Sequence, residues 1–125
     1  MVEQLAAGGV VRDPAMVLSL LLDRERLGST AIGKGVAIPH ARSLAVSGLR
    51  MVFATSRRGI PWEAPDGEPV RLIFLVLAPG IERARKPYLD LIAWVAGRER
   101  LARDRKRLLE ARSFEEVVTV LEESP

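Results

Sequence analysis

At 125 residues, with 48% hydrophobic and 28% charged side chains, the chain has the composition of one globular domain, which we expect to span residues 1–125. The lack of cysteine excludes disulfides, thiolate metal ligands and thiol catalysis, and a net charge of +3 does not by itself indicate a nucleic-acid partner. The longest apolar run, Leu72 to Ala78, is far shorter than the roughly 20 residues of a membrane-spanning helix. The first residues also lack a secretory pattern, so we expect a cytoplasmic protein without membrane insertion.

The first predicted elements are helices. Residues 2–7 predict the end of one helix, which the two glycines that follow would close. Asp13 is typical of a helix N-cap and Pro14 suits the first helical position, so a second helix is predicted from there to about residue 26. Four apolar residues at helical spacing are expected to face the core: Met16, Val17, Leu20 and Leu21.

Residues 29–42, with the sequence STAIGKGVAIPHAR, differ in texture from the helix before them. Small residues and two glycines predict a loop that leads into a brief strand at Val36–Ile38. That strand would deliver His40, the single histidine of the chain, to an edge of the structure. Loops held on a rigid scaffold commonly carry functional groups, so this segment is the first candidate for a site.

Two longer strands are predicted next. Residues 49–55 alternate well enough for one strand, which residues 57–59 (RRG) would end. A turn is predicted at residues 65–67 (PDG). Residues 70–77 form a continuous apolar run with β-branched members, which indicates a central strand buried on both faces.

Helices are predicted for the rest of the chain, at residues 85–97, 98–110 and 114–122. The first of them carries an apolar stripe, formed by Tyr88, Leu91, Ile92 and Val95. Ser113 and Glu116 have the spacing of a capping box at the start of the last helix. Strands mixed with helices predict an α/β fold in which a mixed β-sheet is flanked by helices.

His40 is the strongest candidate for chemistry. Near neutral pH an imidazole can act as a nucleophile, and a phosphorylated ring nitrogen is a high-energy donor that suits reversible group transfer. Ser29 and Thr30 offer hydroxyls, and Arg24 and Arg42 offer planar forks for phosphoryl oxygens. The alternative is structural: a lone histidine is more often a packing residue, the hydroxyls cap a turn, and the arginines are solvated.

The residues now support a resemblance to a known family. The sequence from Arg24 through STAIGKGVAIPHAR resembles the enzyme IIA domain of the fructose/mannitol/nitrogen-regulatory class of the sugar phosphotransferase system. Asp66-Gly67, Pro69-Val70 and the strand LIFLVLAP extend the similarity, which runs from about Leu18 to the C-terminus. The block that ends in Ile38-Pro39-His40 is its most specific part.

The resemblance implies a phosphotransferase-type reaction with a phosphohistidine intermediate. His40 would accept a phosphoryl group, through Nε2, from the histidine phosphocarrier protein, and would pass it to a IIB domain or use it for regulation. Arg24 would steady the phosphate, and Ser29 and Thr30 would line the site. The resemblance implies no cofactor and no metal.

The sequence departs from the family pattern at two points. Tyr88 stands where the family usually has a second histidine, and a phenol can donate a hydrogen bond but cannot become a cation near neutral pH. We therefore expect Tyr88 to lie beside His40 and list it with the catalytic candidates. The chain also lacks the family's first strand, so we expect an N-terminally short domain. The Tyr88 substitution leaves an alternative open, a regulatory protein-binding module of the same fold with weak or no phosphotransfer.

Other features favour structural interpretations. The basic segment at residues 98–112 could contact nucleic acid, but acidic residues interleave with the basic ones and no aromatic residue is present for stacking, which favours a solvated helix face. Trp62 and Trp94 are expected to be packing residues. One histidine without cysteine makes a transition-metal site an unfavourable interpretation.

Overall fold

The computed structural model describes residues 6–97 and 104–123 of the chain. The elements in chain order are α1 (Pro14–Leu27), β1 (Ala31–Gly33), β2 (Val36–Ala37), β3 (His40–Ser43), β4 (Arg50–Ile60), β5 (Val70–Pro79), α2 (Glu82–Ala96), α3 (Arg105–Glu110) and α4 (Phe114–Glu123). Ahead of them, residues 6 and 7 are helical, while residues 2–5 of the predicted first helix lie outside the described residues.

Helix α1 begins where the sequence predicts. The Asp13 carboxylate accepts a hydrogen bond from the Met16 backbone N–H at 3.1 Å, and Pro14 occupies the first turn. The helix packs on β3 through the buried Val17 and Leu21. Met16 and Leu20 are 48% and 37% exposed, so the prediction that they face the core is wrong. The helix contacts the sheet through one narrow stripe of residues spaced i, i+4. Met16 and Leu20 each precede a residue of that stripe and lie outside it.

Strand β5 is the centre of the sheet. On one side it pairs in parallel with β2 and then with β3, where His40 lies opposite Val76. On the other side it pairs antiparallel with β4, and β1 adds to β2 as an antiparallel strand. The predicted mixed sheet with Val70–Leu77 at its centre is confirmed.

Both faces of β5 are buried, as the apolar run predicts. One face, which includes Phe74 and Val76, packs under α2, α3 and α4. The other face, which includes Leu75 and Leu77, packs against α1. This two-sided burial fixes β5 as the frame on which the neighbouring strands are placed.

The predicted end of the strand at residues 49–55 is wrong. Strand β4 does not end at residues 57–59 but continues to Ile60, with a register shift after Thr55. Gly59, at φ +82°, takes a left-handed conformation in this irregular stretch, and such a bulge lets a strand continue where the sequence suggests a stop. Within the described residues, β4 pairs only with β5.

Helix α2 begins at Glu82, three residues before the prediction, so Pro87 lies inside the helix and not in its first turn. Residues 98–103 of the next predicted helix lie outside the described residues, and α3 covers only Arg105–Glu110. At the start of α4 the Ser113 hydroxyl accepts from the Glu116 N–H at 3.2 Å. The Glu116 carboxylate accepts from the Arg112 N–H instead of completing the reciprocal box.

Across residues 6–97 and 104–123, no helix combines the length and the apolar character needed to cross a membrane.

Candidate functional site

His40 begins strand β3 directly after a break in the strand that pairs with β5. β2 ends at Ala37, and His40 resumes pairing with β5. At the break, the Pro39 carbonyl accepts a hydrogen bond from the Val76 N–H at 2.9 Å, while proline itself has no N–H to donate. His40 is therefore fixed at a strand start, and it remains partly exposed.

The His40 ring is held in one tautomer by the backbone. Nδ1 lies 2.7 Å from the carbonyl oxygen of Ile38. A carbonyl can only accept, so in the neutral ring Nδ1 carries the proton and donates it to Ile38. The lone pair is thereby left on Nε2, the nitrogen at which the family resemblance implies phosphorylation.

Tyr88 lies beside His40. The two ring centroids are 6.0 Å apart with an interplanar angle of 63°, an edge-to-face arrangement. Tyr88 is 7% exposed and belongs to α2, so the helix that follows the central strand brings it to the histidine from 48 positions along the chain. The predicted neighbourhood of the two residues is confirmed, while the chemical role of Tyr88 stays a prediction.

Two arginines act on the tyrosine. The Arg42 guanidinium carbon lies 5.7 Å from the Tyr88 ring centroid, over the ring, and the charge of Arg24, in the C-terminal turn of α1, also acts on the phenol. Burial raises the pKa of Tyr88, and the positive charges of Arg42 and Arg24 oppose that shift without cancelling it. The phenol thus keeps its proton at neutral pH and remains a hydrogen-bond donor beside the Arg42 guanidinium.

Ser29 and Thr30 make contacts within the loop. The Ser29 hydroxyl accepts from the Ala31 N–H at 3.1 Å. Thr30 is 5% exposed, and its hydroxyl donates to the Glu25 carboxylate. These contacts lie within the loop. The role of Ser29 and Thr30 as phosphate ligands therefore stays a prediction.

Sequence reasoning missed Glu25. Its carboxylate accepts from the Thr30 N–H at 3.1 and 3.2 Å and from the Trp62 indole N–H at 3.1 Å. A carboxylate directly after Arg24, in the run that carries the family resemblance, is the signal that could have drawn attention to it. The partner Trp62 is 37 positions away, and no local pattern predicts that contact.

The loop between β1 and β2 is held by the turn that precedes β5. Gly33, Lys34 and Gly35 all have positive φ, and the Asp66 carboxylate accepts from the Lys34 N–H at 2.7 Å. Asp66 also accepts from the Glu68 N–H, and these two backbone donors lower the pKa of its carboxyl group. The hairpin that precedes His40 is thereby tied to the turn at residues 65–67.

Comparison with known proteins decides the family. A sequence model of the family described as "Phosphoenolpyruvate-dependent sugar phosphotransferase system, EIIA 2" matches residues 1–124. The chain belongs to this EIIA family.

Relatives of this EIIA chain include regulatory and sugar-transport proteins. A nitrogen regulatory protein of Bradyrhizobium diazoefficiens is 42% identical over 108 residues, which cover 84% of this chain and 67% of the relative. The fructose-specific EIIABC component of the phosphotransferase system of Bacillus subtilis is 32% identical over 121 residues, or 97% of this chain. The chain spans only 19% of that longer protein.

A solved structure confirms the fold of the EIIA chain. The complex of enzyme IIA mannitol with phosphorylated enzyme IIB mannitol from Escherichia coli matches with a TM-score of 0.72 at 25% identity. The match covers 97% of this chain and 81% of that one.

Among the described residues of the EIIA chain, no group of three or more His, Cys, Asp or Glu is placed to hold a metal ion.

Proposed function

We propose that the chain is a phosphocarrier domain that accepts a phosphoryl group on Nε2 of His40 from the histidine phosphocarrier protein. The observation that carries the proposal is the hydrogen bond between Nδ1 and the Ile38 carbonyl, which leaves the lone pair on Nε2. His40 is partly exposed at a strand start, where a partner protein can reach it. We place this exchange in the cytoplasm, between proteins.

The uptake step needs no further reactant. The Nε2 lone pair of His40 attacks the phosphorus of the donor phosphohistidine as the donor's N–P bond breaks in line. The bonding pair stays on the donor imidazole, and a new N–P bond forms at Nε2 while the proton remains on Nδ1. Arg24 and Arg42 offset the charge of the equatorial oxygens, and the Tyr88 hydroxyl can donate to one of them.

The onward step follows from the similarity to the IIA–IIB mannitol complex. A cysteine thiolate of a IIB domain would attack the phosphorus, and the N–P bond at His40 would break with its electron pair returning to Nε2. The protein would thus return to its starting tautomer, ready to accept again.

A regulatory binding module is the second candidate. Tyr88 stands in the position of the family's second histidine, and a phenol cannot become a cation near neutral pH. Without that cation the charge of the phosphoryl group is less well offset, so transfer would be slower. The similarity to a nitrogen regulatory protein is compatible with a target other than a sugar transporter. In this case the phosphorylation state of His40 would control binding to a regulated protein.

The test is a transfer assay with two stages. The protein is incubated with enzyme I, the histidine phosphocarrier protein and labelled phosphoenolpyruvate, and then chased with IIB domains. Acid-labile label on the wild type, with none on His40→Gln, supports the phosphocarrier, and loss of label to a IIB domain supports the sugar branch. Label that forms and stays during the chase favours the regulatory branch, and no label on the wild type overturns the phosphocarrier proposal.

A further inference from the structure

Glu25 is the most heavily hydrogen-bonded carboxylate near the site, and the uptake step does not use it. Its two oxygens receive the Thr30 N–H, the Thr30 hydroxyl and the Trp62 indole N–H. Thr30 is 5% exposed and Trp62 is half-buried. The carboxylate therefore ties the end of α1 to the start of β1 and to the segment that follows β4.

A continuous series of hydrogen bonds leads from Glu25 to the histidine. The Thr30 carbonyl, on the residue that Glu25 grips, accepts from the Ile38 N–H at 3.0 Å. The Ile38 carbonyl in turn accepts from His40 Nδ1 at 2.7 Å. These bonds connect Trp62 to the imidazole through Glu25, Thr30 and Ile38. The position of Thr30, together with the bond of the Pro39 carbonyl to the Val76 N–H, therefore helps to set the position of the carbonyl that selects the tautomer.

We infer that Glu25 is a positioning residue for His40: it holds Thr30 so that the Ile38 carbonyl keeps the proton of the imidazole on Nδ1. The link to phosphoryl uptake rests on the proposed function, whereas the link to the tautomer does not. Histidines at metal sites show the same dependence, since the partner on the second nitrogen fixes which nitrogen is available.

A glutamine at position 25 is the informative change. Its amide has one acceptor oxygen where the carboxylate has two, and it carries no charge, so the N–H groups of Thr30 and Trp62 lose their charge-assisted bonds while the amide nitrogen can donate only to the Thr30 hydroxyl. Glutamine is close to glutamate in size, so the change alters the bonds that hold the Thr30 segment without leaving a cavity. Without a well-placed Ile38 carbonyl, the proton is free to move to Nε2 and occupy the nitrogen that should attack.

The single histidine makes the measurement direct. In ¹⁵N-labelled full-length protein, the two ring nitrogens of His40 are the only imidazole signals, and their shifts and couplings to the ring protons report the tautomer. The wild type should show the proton on Nδ1. Glu25→Gln should show a large fraction with the proton on Nε2, and its phosphoryl uptake should fall by about tenfold.

Glu63→Gln is the matched control, because it removes one carboxylate next to Trp62 at an exposed position. It should keep the wild-type tautomer and uptake. Thr30→Val is a second variant in case Glu25→Gln does not fold; it removes the hydroxyl that donates to Glu25 and should shift the tautomer in the same direction, by less.

The tautomer needs no phosphoryl donor, so the inference can be judged separately from the proposed function. A folded Glu25→Gln protein with the wild-type tautomer would overturn it, as would an unchanged tautomer in Thr30→Val if that variant alone folds. Absence of phosphoryl uptake by the wild type would overturn the proposed function and leave the tautomer result standing.

Discussion

At the scale of single residues, the charges of two arginines from different elements act on Tyr88. Arg24 comes from the last turn of α1, and Arg42 lies two residues after His40 in β3. Both act electrostatically on the tyrosine that lies against the histidine ring. Two such cations can offset phosphoryl charge without a metal ion.

We predict that Arg24→Ala slows phosphoryl uptake by about a hundredfold, because a fixed cation beside the transferred group is lost. The Arg24 side chain also donates to the Gly28 carbonyl at 2.7 Å, so the change should cost about 1 kcal/mol of stability. Arg26→Ala is the control: its side chain is 75% exposed and pairs with Asp23, and both uptake and stability should hold. Equal uptake rates in the two variants would remove Arg24 from the site.

Tyr88 allows a comparison of a hydroxyl with a cation. The raised pKa of Tyr88 keeps its hydroxyl protonated as a hydrogen-bond donor. Tyr88→Phe removes that donor, and the loss of one hydrogen bond of about 1 kcal/mol should slow uptake about fivefold. Tyr88→His should speed uptake by adding a group that can carry positive charge. Thermal unfolding of both proteins checks that the fold is kept. If neither rate changes, Tyr88 serves only as packing.

The sequence could predict His40 and Tyr88 but not Glu25. His40 and Tyr88 stand in motifs whose spacing along the chain is similar to that of a family. Glu25 acquires its role from Thr30, five positions away, and from Trp62, 37 positions away, which meet it only after the sheet has formed. Contacts of this kind depend on tertiary packing, which local patterns do not encode.

At the scale of elements, the hairpin of β1 and β2 depends on Asp66. The pKa of this carboxyl group is lowered because the backbone N–H groups of Lys34 and Glu68 donate to its ionised form. Because this pKa is lower in the folded state than in the unfolded state, ionised Asp66 stabilises the fold at pH values above the unfolded-state pKa. The stabilisation is lost as pH falls through the folded-state pKa.

We predict that Asp66→Asn is less stable than the wild type at neutral pH and that the difference narrows as pH falls below the ordinary value of 3.8. Urea unfolding at a series of pH values measures this. Glu68→Gln is the control, since it removes a neighbouring charge and keeps the Asp66 carboxylate, and its difference from the wild type should not narrow in that range. A constant difference for Asp66→Asn would show that ionised Asp66 does not hold the hairpin.

Element types were more predictable than element ends. β5 was predictable because seven successive residues of its run are buried, so the pattern needs no knowledge of neighbours. The end of β4 was not, because a bulge with Gly59 in the left-handed region carries the strand past two arginines. The exposure of Met16 and Leu20 shows the same limit, since helical periodicity does not fix how wide a stripe the sheet will cover.

At the scale of the whole molecule, stability and function share one strand. β5 packs under three helices on one face and against α1 on the other, and it also pairs with the strand that begins at His40. The strand that presents His40 is therefore paired directly with the core strand. The mixed-sheet fold was predictable from the alternation of elements, but the pairing of both β2 and β3 with the same edge of β5 was not.

We predict that Phe74→Ala lowers the free energy of unfolding by about 3–5 kcal/mol, because Phe74 is fully buried and its removal leaves a cavity. Phe114→Ala is the control with the same chemical change at a residue that is 52% exposed, and it should cost much less. Chemical denaturation of both proteins gives the comparison. Similar losses in the two variants would contradict the placement of the core.

The central claim is that His40 carries the phosphoryl group on Nε2. NMR of ¹⁵N-labelled protein phosphorylated from phosphoenolpyruvate, enzyme I and the histidine phosphocarrier protein tests it directly. The account predicts one phosphoryl group per chain and phosphorus–nitrogen coupling to Nε2. Nδ1 should keep its proton, which it donates to the Ile38 carbonyl. Coupling to Nδ1, or equal uptake of phosphate by His40→Ala, would contradict it.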